Sequence, residues 1–232
     1  MSIHLSSREK TKLLRFIGYG NLAAPVWFIG MEERGHGEER LVRRLKFKRV
    51  EDLARAQCIL GVSKHHYPPF VLQRTWRTMC EIMLRLADIS PTMENLKTYQ
   101  ASYLGRFGSA TLLTELLPIP APGHHKWEYG SLFGDRVKYE EEVQPKRMEM
   151  LCRLISKHKP SLVICYGRTD WKYYEKLFPE AQWEESAPFR IGRARGMRVF
   201  LTPHFVPHQM SKTRIADLCR LITGLLRPNG AS

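Results

Sequence analysis

No apolar run in this 232-residue chain approaches the roughly 18 to 20 residues that a membrane-spanning helix requires. The first twelve residues carry charges with no apolar stretch behind them, so we expect no signal peptide and a soluble, cytoplasmic chain. Cysteine is scarce. Cys58, Cys80, Cys152, Cys165 and Cys219 are odd in number, lie far apart and form no C-x-x-C pair, which argues against a disulfide framework or an iron–sulfur centre and predicts buried, reduced thiols. The doublets His65-His66 and His124-His125 and the pair His204/His208 lack neighbouring cysteines or carboxylates at ligand spacing, so we expect neither a metal nor another cofactor. Negative charge is also short: 23 Asp and Glu against 37 Lys and Arg leave +14, an excess that favours a polyanion, nucleic acid first, through counterion release. What is present, 43% hydrophobic and 26% charged residues without repeats, is enough for one core, and a single domain over 1–232 acting as a monomer is expected.

Four short apolar runs, 25–30, 110–117, 161–167 and 197–202, read as strands buried on both faces. Apolar residues at three- and four-residue spacing predict helices over 40–60, 73–86, 93–103, 145–158, 170–177 and 212–226, the last stopped by Pro228-Asn229-Gly230. Strands separated by helical crossovers predict an α/β fold, a three-layer α/β/α sandwich around a central, mainly parallel four-stranded sheet. The polar stretch 120–142 is too long for a plain connection and is expected to be a functional loop or a mobile insertion.

In such sheets ligands sit outside the carboxyl ends of the strands. Three of those ends carry a pattern: Gly30-Met31-Glu32, a strand ending in glycine with an acid two positions on; Thr114-Glu115-Leu116-Leu117-Pro118, a strand running into proline; and Thr202-Pro203-His204-Phe205-Val206-Pro207. In this order they resemble the uracil-DNA glycosylase superfamily, over the sheet and most of the chain. The first is similar to its water-activating G-Q-D-P-Y-H motif and the third to its H-P-S-P motif. Each is degenerate here: Glu32 stands for the aspartate, Glu33 and Arg34 replace proline and tyrosine, and only the histidine and second proline of H-P-S-P remain.

The resemblance implies a flipped nucleotide whose glycosidic bond breaks to an oxocarbenium-like sugar and an anionic base while water attacks the anomeric carbon. It implies Glu32 orienting that water and His204 contacting the base O2, both as catalytic residues. Gly30, Met31, Glu115 and Phe70 are the expected base contacts. Read from the residues alone, Glu32 also fits a helix cap or a partner of Arg34, His204 a satisfied strand-end histidine, and Glu115 a partner of an arginine. The superfamily's uracil-specific branch has asparagine where Glu115 stands. A carboxylate accepts from an exocyclic amino group but cannot donate to uracil O4, which makes cytosine or a 5-substituted cytosine the expected base. A Glu115 kept neutral by burial among Leu113, Leu116 and Leu117 would donate to N3.

An unrestricted cytosine glycosylase would damage its own host. A bulky 5-substituent, such as the hydroxymethyl or glucosylated hydroxymethyl group of some phage DNAs, is the expected restriction, read by the loop 123–126 in the manner of an anti-phage glycosylase. Repair of uracil or another deaminated base, and a catalytically silent nucleic-acid-binding protein of the same fold, are the alternatives. DNA contacts are expected from Arg34, Arg168, His208, Ser211 and Lys212; the last two begin a helix whose N-terminus favours an anion, although Ser211 fits a helix N-cap equally well. Phe70 and Trp127 are expected to stack on a base or wedge the gap. Trp76 reads as core, and Arg40, Arg43, Arg44, Lys46, Lys48 and Arg49 as a solvated or DNA-facing surface. Neither Lys126 nor Lys212 has a desolvated context, so a monofunctional enzyme is expected.

Overall fold

The computed structural model describes residues 3–123 and 126–226. In chain order the elements are α1 (Ser7–Leu14), β1 (Gly18–Gly20), β2 (Val26–Arg34), α2 (Glu38–Arg44), β3 (Val50–Glu51), α3 (Leu53–Leu60), α4 (Arg74–Leu86), α5 (Met93–Ser102) and β4 (Thr111–Ala121). There follow α6 (Gly130–Phe133), α7 (Arg136–His158), β5 (Leu162–Tyr166), α8 (Trp171–Tyr174), β6 (Gln182–Ser186), β7 (Phe189–Ala194), β8 (Met197–Thr202) and α9 (Lys212–Leu226).

The four apolar runs form the parallel centre of the sheet, β4-β2-β5-β8. Among the described residues the sheet has eight strands rather than four, in the order β3-β1-β4-β2-β5-β8-β7-β6. The additions lie at the edges, where β1 runs antiparallel to β4 and the β6–β7 hairpin antiparallel to β8. Their sequences carry little periodicity: β1 and β3 are three and two residues long, and β6 reads Gln-Trp-Glu-Glu-Ser with no residue buried. Alternation along the central strands feeds two apolar layers. Phe28, Ile164 and Phe200 pack under α3, α4 and α9, while Trp27, Val163 and Val199 pack under α7 and α8. This is the three-layer sandwich.

Several elements differ from expectation for local reasons. The predicted helix over 40–60 is two helices with β3 between them, because the Asp52 side chain accepts from the Arg55 amide and starts α3 afresh. Helix α7 starts at Arg136, capped by Asp135, and continues through Pro145; its polar first half, Lys138-Tyr139-Glu140-Glu141-Glu142, hides the periodicity. Most of 120–142 is therefore regular structure rather than a loop. β4 passes through Pro118 and Pro120 because β1 pairs with it only as far as Thr114, so the missing N–H groups fall on an edge. His124, His125 and the Pro228-Asn229-Gly230 stop lie outside the described residues. All five cysteines are free, but Cys58 is exposed and Cys152 half-buried, because α3 turns Leu53, Gln57 and Leu60 inward and leaves Cys58 facing out. No described helix is long and apolar enough to cross a membrane.

Candidate active site

The chain leaves β2 for β4 on one side and later returns to β5 on the other. Such a reversal opens a crevice at the carboxyl ends of the strands. Gly30 of β2 pairs with Glu115 of β4, and the Glu115 side chain folds across it. A Cβ at position 30 would overlap both Glu115 Oε2 and the Tyr166 hydroxyl, so only glycine leaves the room. Tyr166, the last residue of β5, donates from its hydroxyl to Glu115 Oε1 at 2.8 Å. Oε2 is buried and has no hydrogen-bond partner among the described residues. Burial drives the Glu115 carboxyl up to about 8; the bond from Tyr166 opposes that rise, and the charges of Glu33 and Glu32 add to it. Near neutral pH the group is an acid, and with Oε1 accepting from Tyr166 its proton sits on Oε2.

Tyr166 is held in turn by the segment after β8. Its ring stacks on fully buried Phe205 at 4.7 Å and meets the His204 ring edge-on at 5.8 Å. The departure from H-P-S-P thus has a structural result: Phe205 is the floor under Tyr166. Burial raises the Tyr166 hydroxyl well above its ordinary value and keeps it a donor. The His204 backbone N–H donates to Gln209 Oε1 at 2.9 Å, which fixes the loop. Desolvation, then the neighbouring charge of His208, pulls the His204 imidazole below its ordinary value, leaving a neutral ring at pH 7.

Glu115 and Tyr166 line a cavity of about 40 Å³ together with Glu33, Tyr19, Trp76 and Arg147. That volume admits a few waters and no pyrimidine ring unless a wall moves. Glu33 accepts from the Tyr19 hydroxyl at 2.7 Å and from Arg44 at 2.8 Å. Arg44 is itself buried, its guanidinium 5.2 Å from the ring centres of both Phe16 and Phe47, so it is not the solvated residue its basic neighbours suggested. Where β1 begins beside β4, buried Arg147 closes the gap. It donates to Glu115 O at 2.9 Å, Ile17 O at 2.7 Å, Thr114 Oγ1 at 3.2 Å and Phe16 O. Burial lowers its guanidinium to about 10.

Of the expected residues, the structure brings Gly30 and Glu115 together at Tyr166, while exposed His204 touches the Tyr166 ring but is not among the residues lining the cavity. Glu32 is placed differently. β2 does not end at Gly30 but runs on to Arg34, with Glu32 opposite Leu117. Arg136 of α7 holds the Glu32 carboxylate at 2.7 Å, so neither a helix cap nor Arg34 is the partner found, and Glu33 faces the cavity instead. Met31 is buried in the layer under α7, away from the cavity. Trp127 stacks on Tyr139 at 4.6 Å and donates to Gly134 O, which makes it a packing residue rather than a wedge. Half-buried Phe70, at a left-handed φ of 52°, is not among the residues lining the cavity, whereas Trp76, assigned to the core, is.

Around the crevice, Arg34 is exposed at the end of β2, and Arg168 is exposed with its guanidinium 5.5 Å from the Trp171 ring. Ser211 caps α9, accepting from the Arg214 amide at 3.3 Å, and Lys212 and His208 are exposed beside it. Tyr166, Tyr19, Glu33, Arg44 and Arg147 were missed as site residues. Only Tyr166 had a local signal, a hydroxyl at a strand end next to Gly167. No His, Cys, Asp and Glu among the described residues group as metal ligands. No protein-family model and no curated protein matches the chain.

Proposed function

We propose that the chain is a monofunctional DNA glycosylase that flips a cytosine-type base and hydrolyses its N-glycosidic bond. The observation that carries this reading is the neutral Glu115 carboxyl at the strand reversal, with Oε1 held by Tyr166 and Oε2 unshared. An acceptor at Oε1 and a donor at Oε2 complement the N4 amino group and N3 of cytosine. As the C1′–N1 bond breaks, its electron pair passes to the ring, and the Oε2 proton moves to N3 and neutralises the leaving base. Water adds its oxygen to the anomeric carbon and releases a proton, which restores the Glu115 acid. One water is consumed, and a free base and an abasic sugar are formed.

Glu33, held by Arg44 and Tyr19, sets negative charge beside the cavity, where a cationic sugar would be stabilised. His204, beside Tyr166, supplies an N–H to the base O2. Entry of the base requires a wall of the cavity to move. The net charge of +14 and the exposed Arg34, Arg168, His208 and Lys212 suit a DNA backbone. Restriction to a 5-substituted cytosine, hydroxymethylated or glucosylated as in some phage DNAs, is part of the proposal, since an enzyme acting on every cytosine would destroy its own genome.

The Arg136 clamp on Glu32 favours a second reading, a nucleic-acid-binding protein without chemistry. Mass spectrometry of bases released from DNAs carrying uracil, cytosine, hydroxymethylcytosine or glucosylated hydroxymethylcytosine tests both. Release of a cytosine-type base that stops in Glu115→Gln while DNA binding persists is expected. Release of uracil alone overturns the assignment of the base, and binding with no release from any of the four DNAs selects the second reading.

A further inference from the structure

A second, larger cavity of about 510 Å³ lies between α1 and the segment 44–49. It falls in the size range of small-molecule pockets. Its rim carries five exposed cations, Arg8, Lys12, Arg15, Lys48 and Arg49, and no acidic residue lines it. None of these five forms an ion pair among the described residues. Its floor is largely apolar, formed by Leu13, Phe16 and Phe47, with buried Arg44, paired to Glu33, against both rings. Unpaired cations crowded around an apolar floor repel one another, and an anion at the rim relieves that repulsion.

Inorganic phosphate would use the rim and leave the floor uncovered. A phosphorylated nucleoside uses both, with its phosphate among the arginines and lysines and its base against the floor. The cavity also shares Phe16 and Arg44 with the smaller one that holds Glu115, and β1, which follows α1, begins opposite Thr114, next to Glu115 in β4. We infer that this cavity is a second nucleotide-binding site, separate from the one that holds Glu115. The assignment does not depend on base excision: it stands on shape and charge alone, and its occupant is either a free nucleotide or one nucleotide unit of a bound strand.

Calorimetric titration of the full chain with thymidine 5′-monophosphate, a short oligothymidylate and inorganic phosphate tests it, repeated with Lys12→Glu/Arg15→Glu, with Lys48→Glu and with Lys157→Glu, a charge reversal in the last turn of α7 outside the cavity. All four reversed residues are exposed, and circular dichroism checks that the variants fold. The nucleotide is expected to bind at least about tenfold more tightly than phosphate, and each rim variant to lose about tenfold or more, with a shallower salt dependence. Lys157→Glu is expected to bind as the unaltered chain does. Equal affinity per site for nucleotide and oligomer supports the site with a free nucleotide as occupant, and tighter binding of the oligomer supports it with a strand. Phosphate binding as well as the nucleotide, nucleotide binding unchanged in the rim variants, or a loss in Lys157→Glu matching theirs overturns the inference.

Discussion

In the proposed reaction Glu115 is the acid, and its burial has a measurable cost. In the folded chain it keeps its proton up to about pH 8, whereas in the unfolded chain it ionises near its ordinary value of 4.5. Between these values the folded state binds more protons, so the stability contribution of Glu115 is fully present below pH 4.5 and is lost as pH rises through about 8. Thermal unfolding across this window should therefore show the native protein losing a few kcal/mol more than Glu115→Gln; parallel curves for the two would contradict a raised carboxyl. Gly30→Ala should cost about 1–3 kcal/mol, because its methyl group displaces the carboxyl and the Tyr166 hydroxyl together. Loss of the upfield or downfield shift of the Tyr166 ring resonances on pH titration, with overall helicity kept, would report that displacement. At this scale Glu115 was legible as a candidate because it is the one charged residue inside its apolar run, and His204 because it stands just past the end of another. Tyr166 was not, since a tyrosine in Leu-Val-Ile-Cys-Tyr reads as one more buried strand residue until its partner across the sheet is known.

Elements meet at the site through side chains that sequence spacing does not reveal. Arg147 belongs to α7 yet bonds the carbonyls that end the α1–β1 connection and the carbonyl of Glu115 in β4. Arg147→Met strands those buried acceptors, and a loss of about 3 kcal/mol, read as a lower urea midpoint, is expected. A cost below about 1 kcal/mol would mean that the connection is held by packing alone. Pattern reading found the four central strands because they are apolar on both faces, and α9 to the residue because its stripe is continuous. It missed β1 and β3, which are only three and two residues long, β6 and the first half of α7, where exposed polar residues dominate, and β7, where two arginines and Gly192 break the apolar run. It also ended the first strand at Gly30, although β2 continues through Glu32 and Glu33. That continuation is why the acid at the cavity is Glu33: a shift of one residue along the chain changes which layer a side chain faces.

The whole molecule combines a net positive charge with a nearly closed interior site in which the Glu115 carboxyl is neutral. With +14 net charge, DNA affinity should fall steeply with salt, log K declining by about 0.9 per phosphate contacted for each decade of salt. Filter binding at several salt concentrations checks this, and a flat response would remove DNA as a partner. Fold class was legible from the order of apolar runs and helical stripes alone; the meeting of Glu115, Tyr166 and Glu33 was not, because it depends on how far each strand extends past the crossover. The measurement closest to the central claim is the pH profile of single-turnover base release from DNA carrying hydroxymethylcytosine. If Glu115 delivers its proton to the departing base, the rate holds up to about pH 8 and then falls about tenfold per unit, and Glu115→Gln releases nothing. A rate that stays level or climbs through pH 9, or one that survives in Glu115→Gln, would contradict it.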